Sequence, residues 1–344
     1  MLLYKFWGFM MNREDFIRSL KPVHDIKLRK NMLISELIQE FSKIGGFVAK
    51  KVYEAARILE DMLLDDKSVN FLSFPAAIIA TGLRGVIVEI IKRGFFDVII
   101  TTCGTIDHDI ARLYKNYYQG YFEADDVWLS EMDIHRLGSI FIPVESYGLP
   151  IEKLTKKLVD ELVTRGIEKA SSREIIWILA DMIDREVKNK EESIIWWAKK
   201  RGIPIYVPGI TDGAFGYQLW LFTRNKRILV DIFKDETELA EIIYNSERTG
   251  ALVIGGGISK HHVIWWNQFK NGLDRAVYIT TAVEWDGSLS GARTREAISW
   301  GKIAKRAQHV TVEGDATLIL PLLASYLIDK VNERENRSLS SFLT

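Results

Sequence analysis

The chain has one cysteine, Cys103, in 344 residues. No intrachain disulfide and no cysteine-based zinc site can therefore form, which suits a reducing, intracellular setting. Net charge is missing as well: 46 basic side chains balance 46 acidic ones, so no overall field draws the protein to nucleic acid or to a membrane surface. No apolar run is long enough to span a bilayer. The apolar opening Met1 to Met10 is short and lacks the basic start and small-residue cleavage site of a signal peptide. The start lies at Met1, or at Met10 or Met11 with an upstream start codon before it. These absences point to a soluble, cytoplasmic protein. Internal repeats, low-complexity tracts and clear linkers are lacking too. No G-x-G-x-x-G follows a strand, so the usual dinucleotide fingerprint is missing, and there is no H-E-x-x-H or comparable metal-ligand cluster.

What is present is apolar residue in quantity, 47% of the chain, enough for a large core. Residues 12–31 are polar and basic with Pro22 as a breaker, and read as an arm or peripheral helix. Apolar residues at helical spacing from Met32 to Leu64 predict two helices broken near Gly45-Gly46. A rhythm of short apolar strands and helices follows. Strands are expected in the run Phe74 to Ala80, at Asp97 to Ile100, Ser139 to Val144, Ile203 to Val207, Ala251 to Ile254, Ala276 to Thr281 and His309 to Val312. Helices are expected near 83–93, 106–114, 151–165, 172–187, 193–201, 236–245, 260–271, 294–307 and 317–331. Tyr117 to His135, rich in aromatics and acids, reads as an excursion. Continuously apolar strands alternating with helices predict an α/β fold, a doubly wound, mostly parallel sheet with helices on both faces and an N-terminal helical extension. The expected layout is an arm over 1–31, one catalytic domain over 32–335 and a tail over 336–344.

The chain is organised around Glu284 to Arg293 and its continuation to Lys302. An apolar strand leads into a polar Gly/Ser loop and then into a helix carrying one lysine. An exposed helical lysine usually has acidic or amide neighbours three and four residues away, but Lys302 has Ile298, Ser299, Trp300, Gly301 and Ile303. Apolar surroundings strip an amine of hydration and favour its neutral, nucleophilic form, which attacks carbonyl or imine carbon. The bland alternative is a lysine snorkelling from a half-buried helix, its stem on Trp300.

In an open parallel sheet ligands sit beyond the carboxyl ends of the strands. Five strands here end in Gly, Thr or Asp: Thr102 to Gly104, Gly209 to Gly213, Gly255 to Gly257, Thr281-Ala282 and Gly314 to Ala316. Glycines let backbone approach phosphate, and free N–H groups at the following helix starts favour an anion. Asp212 and Asp315 are candidates to accept from ribose hydroxyls. His261 and His262 diverge by about 100° on a helix. They make a poor metal pair, and one is expected to face the cleft as a proton carrier while the other is structural. Cys103 is either a strand-end nucleophile or a small buried thiol. Trp196, Trp197, Trp265, Trp266 and Trp300 read mostly as core.

Five segments taken together, TTCGTIDHDIARL (Thr101 to Leu113), TDGAFG (Thr211 to Gly216), GGGISKHH (Gly255 to His262), YITTAVEWDGSLSGARTREAISWGK (Tyr278 to Lys302) and EGDATLILPLL (Glu313 to Leu323), resemble the deoxyhypusine synthase family. The likeness runs from about Phe71 to Ile328. It implies an NAD-dependent transferase that oxidises spermidine, passes its aminobutyl group to an enzyme lysine as an imine, hands it to one lysine of the translation initiation factor 5A precursor and reduces it there. It also implies a Rossmann-like fold and a homotetramer with active sites at a dimer interface.

Carried over by position, the resemblance makes Lys302 the imine-forming nucleophile, Trp300 the residue packing the substrate chain and His261 the candidate proton carrier. Asp286, Gly287, Ser290 and Glu296 match positions around the amine and nicotinamide. Thr102, Cys103, Gly104, Asp212, Gly256, Thr281, Ala282, Asp315 and Ala316 match cofactor contacts. The chain departs from the best-known eukaryotic members, which place acids where it has His108, Tyr217 and Leu289, and Ser and Asn within the segment Ala76 to Ala80. Losing carboxylates weakens the hold on a polycation. Asp107, Asp109 and Glu296 are the acids available to compensate, and archaeal members share DHDIAR and TDGAFGYQLW. Homospermidine synthase, with putrescine as acceptor, is the nearest rival. A nucleotide-binding assembly subunit without catalysis is the alternative from another class.

Overall fold

The computed structural model describes residues 12–335, 339 and 341–343. The reading of Met1 to Met11, and most of the expected tail, lie outside them. Six strands form one sheet: β1 (Ser68–Phe74), β2 (Val98–Thr101), β3 (Ile205–Tyr206), β4 (Arg248–Ile254), β5 (Leu273–Thr280) and β6 (Ile303–Glu313). Every pairing is parallel, and the spatial order is β3-β2-β1-β4-β5-β6. This is the doubly wound Rossmann order, with its reversal between β1 and β4.

Side chains alternate across the sheet. Leu72, Phe74, Ile99, Leu252, Ile254 and Val277 join one buried cluster, while Val69, Phe71, Val98, Ile100, Ala251 and Val253 join the other. Both faces are covered, so the strands read as unbroken apolar runs. Burying each of these larger side chains contributes about 1.5–3 kcal/mol. The first described helix, Arg13–Ser19, buries none of its residues. Among the described residues no helix is long and apolar enough to cross a membrane.

The structure corrects three local expectations and adds a helix. The run Phe74 to Ala80 is not one strand: β1 ends at Phe74, Pro75 breaks it, and a single helical turn, Ala77–Ala80, follows. Ser139 to Val144 does not join the main sheet. Ile140–Pro143 pairs antiparallel with Tyr118–Gln119 and Ile134–Leu137 in a small separate sheet, which makes the excursion longer than its aromatic stretch. The TDGAFG turn opens a helix, Ala214–Thr223, with apolar residues too evenly spread to show one face. The helix expected over 294–307 stops at Ser299, and β6 begins at Ile303.

That last boundary has a clear cause. Gly301 is left-handed at φ +70°, its N–H donates to the Ile298 carbonyl at 3.0 Å, and the Lys302 N–H donates to the Ala297 carbonyl at 2.9 Å. These are the two bonds of a Schellman stop. The strand beyond was hidden because its register with β5 jumps from Leu273↔Ile303 to Arg275↔Gln308. Ala304 to Ala307 bulge from the ladder, so the apolar run starts only at Val310.

Candidate active site

One helix, Cys103–Tyr114, carries two acids that close the ends of two other helices. Asp107, on the helix Cys103–Tyr114, is 1% exposed. It accepts from the Phe215 N–H at 2.7 Å, the Ala214 N–H at 2.9 Å and the Tyr147 hydroxyl at 2.8 Å. It thereby caps the helix Ala214–Thr223, and burial pushes its carboxyl upward against these bonds. Asp109 does the same for the helix Ile194–Lys200, accepting from Ser193 Oγ and the Ile194 and Ile195 N–H groups. His108 lies between them, its Nδ1 2.9 Å from the Tyr117 hydroxyl, its ring against Tyr117 and Tyr147. Burial, and then Arg112, holds it down to about 4, so it is neutral at neutral pH. Asp107, Asp109 and His108 do not line the cavity that holds Lys302.

That cavity, of about 220 Å³, lies beside β5, the helix Gly257–Asn267 and the helix Thr294–Ser299. Lys302, His261, Glu296 and Trp300 line it together, and Lys260 and Arg293 join them. Lys302 is 8% exposed, with Nζ 5.4 Å from the Trp300 ring centre and 5.7 Å from that of Trp265. The Schellman turn is what aims it inward. Trp300 and Trp265 are exposed rather than core, contrary to expectation, and hold the amine between their faces. Among the described residues no carboxylate lies within ion-pair distance of Lys302.

The two histidines divide as their helical angle demands. His261 faces the cavity, stacked on Trp265 at 5.5 Å, and burial, then Lys302 and His262, lowers it. His262 instead sits 3.2 Å from Glu236, which also accepts from Trp266 at 2.6 Å.

The loop after β5 brings in the remaining candidates. Asp286 accepts from the Ser288 N–H at 2.7 Å and is held low by that residue. Gly287 is left-handed at φ +70°. Ser290 packs on Gly256 so closely that a Cβ there would lie 2.5 Å from the Ser290 Cα. Glycine is required at 256 for this contact, and it ties the glycine turn after β4 to the loop after β5.

The other candidates sit at successive strand ends. Thr102, Cys103 and Gly104 follow β2, Asp212 follows β3, Gly256 follows β4, Thr281 and Ala282 follow β5, and Asp315 and Ala316 follow β6. The Cys103 thiol is fully buried and burial drives it far up, so it is a packed thiol and no nucleophile. Thr102 occupies the N-cap of its helix without capping it, and its Oγ1 is buried without a partner. Gly256 likewise starts its helix with no side-chain cap. Asp315 caps its own helix through Thr317. Two uncapped helix starts and an orphaned hydroxyl along one row of strand ends fit a phosphate-bearing dinucleotide.

Lys260 was overlooked in the sequence. It is 1% exposed and lowered to about 8, by burial first. Helical spacing shows it: Lys260, Val263, Ile264 and Asn267 are the buried stripe of their helix.

The family model for deoxyhypusine synthase matches residues 36–327. A protein of Ignicoccus hospitalis described as "Probable deoxyhypusine synthase" is 48% identical over 329 residues, covering 94% of this chain and all of the relative. One of the same description from Picrophilus torridus is 50% identical over 316 residues, covering 92% and 99%. A crystal structure from Entamoeba histolytica, described under the same family name, superposes with a TM-score of 0.63 at 21% identity, covering 91% of this chain and all of that one. It supports the fold. The homospermidine synthase alternative is not favoured by these relatives. The chain is a member of the deoxyhypusine synthase family, a family of transferases.

Proposed function

We propose that the chain transfers the aminobutyl group of spermidine through an imine at Lys302 to a lysine of the translation initiation factor 5A precursor. The observation that carries this is the cavity itself, where a shielded lysine, outside ion-pair distance of any carboxylate among the described residues, shares walls with His261 and Glu296. NAD, when bound, would take a hydride from the carbon next to the secondary nitrogen of spermidine and later return it to the acceptor-bound imine, so the net reaction is redox-neutral.

The Lys302 nitrogen adds to the oxidised carbon and forms a C–N bond, 1,3-diaminopropane leaves with the electron pair of the broken C–N bond, and an enzyme imine remains. His261, lowered first by burial and then by Lys302, takes and gives the protons these additions need. Glu296 pairs with an ammonium of the donor, and Trp300 covers its methylene chain. Acceptor lysine then adds to the same carbon and releases Lys302. Thr102, Cys103, Gly104, Asp212, Gly256, Thr281, Ala282, Asp315 and Ala316 are the residues to hold NAD, through backbone N–H groups and the Thr102 hydroxyl, with Asp286, Gly287 and Ser290 between cofactor and amine.

Trp300, which lines the cavity, is 67% exposed, and Trp285, on the loop after β5, is 85% exposed. Large aromatics left in solvent on this one stretch of chain support a homotetramer whose active sites are completed at a dimer interface. The test offers the enzyme the acceptor protein or putrescine, each with labelled spermidine and NAD. Label is expected on the acceptor protein; label on putrescine alone would sink the proposal.

A further inference from the structure

We infer that Lys260 is a positioning residue, the clamp that holds the Gly287 to Ala292 loop against the His261 helix and so keeps both walls of the amine cavity in register. The inference rests on the proposed function for what the cavity does, but its geometry stands apart from it. Lys260 Nζ donates to the Leu289 carbonyl at 2.7 Å and the Ala292 carbonyl at 2.8 Å, and lies 4.3 Å from the centre of the Tyr278 ring. Thr280 Oγ1, at the end of β5, takes the carbonyl between them, that of Ser290, at 3.0 Å.

Three carbonyls of one six-residue stretch are thus claimed by side chains from the neighbouring helix and strand, and two of the three by one ammonium. That stretch presents Leu289 and Ala292 to the cavity and presses Ser290 on Gly256. Lys260 precedes His261 in the chain. The same helical turn therefore carries the candidate proton carrier, the glycine contact and the clamp.

The choice of lysine is informative. A buried ammonium without a carboxylate partner is costly, and among the described residues none lies within ion-pair distance of Lys260. A purely packing role on the buried stripe would be served better by methionine. Two charge-assisted bonds to loop carbonyls are what the ammonium provides in return. A neutral isostere leaves both carbonyls unanswered and the loop tied only through Thr280.

The experiment uses the full-length protein, its Lys260→Met variant, which keeps length and apolar bulk, and Lys260→Arg, which keeps donors for both carbonyls. Amide exchange is followed at Gly291 and Ala292, whose N–H groups close the loop's internal turn on Ser288 at 3.1 Å. In Lys260→Met these amides should exchange about 10- to 100-fold faster, the equivalent of one or two lost bonds, with thermal unfolding kept or raised. Spermidine KM should rise at least tenfold more than kcat falls, and Lys260→Arg should recover part of both effects. Unchanged exchange in the loop, or kcat falling while KM and exchange stay as in wild type, would overturn the clamp. Should Lys260→Met fail to fold, Lys260→Gln is read by the same exchange measurement. If wild type itself cleaves no spermidine, the proposed function fails, and exchange still decides the clamp.

Discussion

Gly256→Ala separates the geometry of the site from the stability of the fold. A Cβ at 256 would sit 2.5 Å from the Ser290 Cα, with Ser290 Oγ nearer still. Carbon atoms rest at about 3.5–4.0 Å, so the loop must retreat by roughly 1 Å. The obstacle includes backbone, so no rotamer change relieves it. Because Gly287 and Ser288 are exposed and Leu289, Ser290 and Ala292 only half-buried, the retreat should cost about 1–3 kcal/mol of stability, the usual range for overpacking. Function should suffer more, since a misplacement of about 1 Å in a positioning element costs on the order of a hundredfold in rate. The assay is paired: unfolding midpoint, then kcat and KM for spermidine and NAD. A variant with steady-state constants within threefold of wild type would refute the claim that the Gly256–Ser290 contact sets the site.

Other expectations follow from single residues. Lys302→Arg should lower transfer at least about 10³-fold while leaving NAD binding intact, because a guanidinium stays protonated and forms no imine; equilibrium binding alongside turnover checks it. Asp107→Asn should lower stability by about 1–3 kcal/mol, since an amide offers a donor where two N–H groups and a hydroxyl need acceptors; denaturant unfolding reads this, with kcat nearly unchanged in the folded fraction. His108 is depressed to about 4 from 6.5, so the folded state resists its protonation. Its contribution is fully present above pH 6.5 and is lost as pH falls from 6.5 through 4, by up to about 3 kcal/mol; His108→Gln should flatten that part of the unfolding free energy against pH.

The legible parts of the fold were those where the sheet is buried on both sides. β2, β4 and β5 announce themselves as apolar runs because helices cover both faces, whereas Ser68, Asn70 and Ser73 break the pattern of β1, so the expected strand started only where β1 ends. β6 hid its first half because an edge strand with a bulge leaves Lys305, Arg306 and Gln308 in solvent. The division between His261 and His262 was readable from helical angle alone. The neighbours of Lys302 mark it in the sequence, but it lies beyond the helix expected to carry it, because the left-handed Gly301 ends that helix. Trp300 and Trp265 were taken for core because aromatic residues usually are, whereas these two frame an amine at a chain surface. Asp107 looked like a ligand acid; only the long-range approach of residues 214 and 215 shows it to be a cap. Lys260 was visible as a charge on an apolar stripe, but the loop carbonyls it serves are 29 and 32 residues away, beyond any local pattern.

The central claim is an imine at Lys302. Incubating the protein with NAD and spermidine, reducing with borohydride and digesting should yield the peptide containing Lys302 with an added aminobutyl mass. Finding that mass on Lys260, or no adduct while NAD binding is confirmed, would contradict the account.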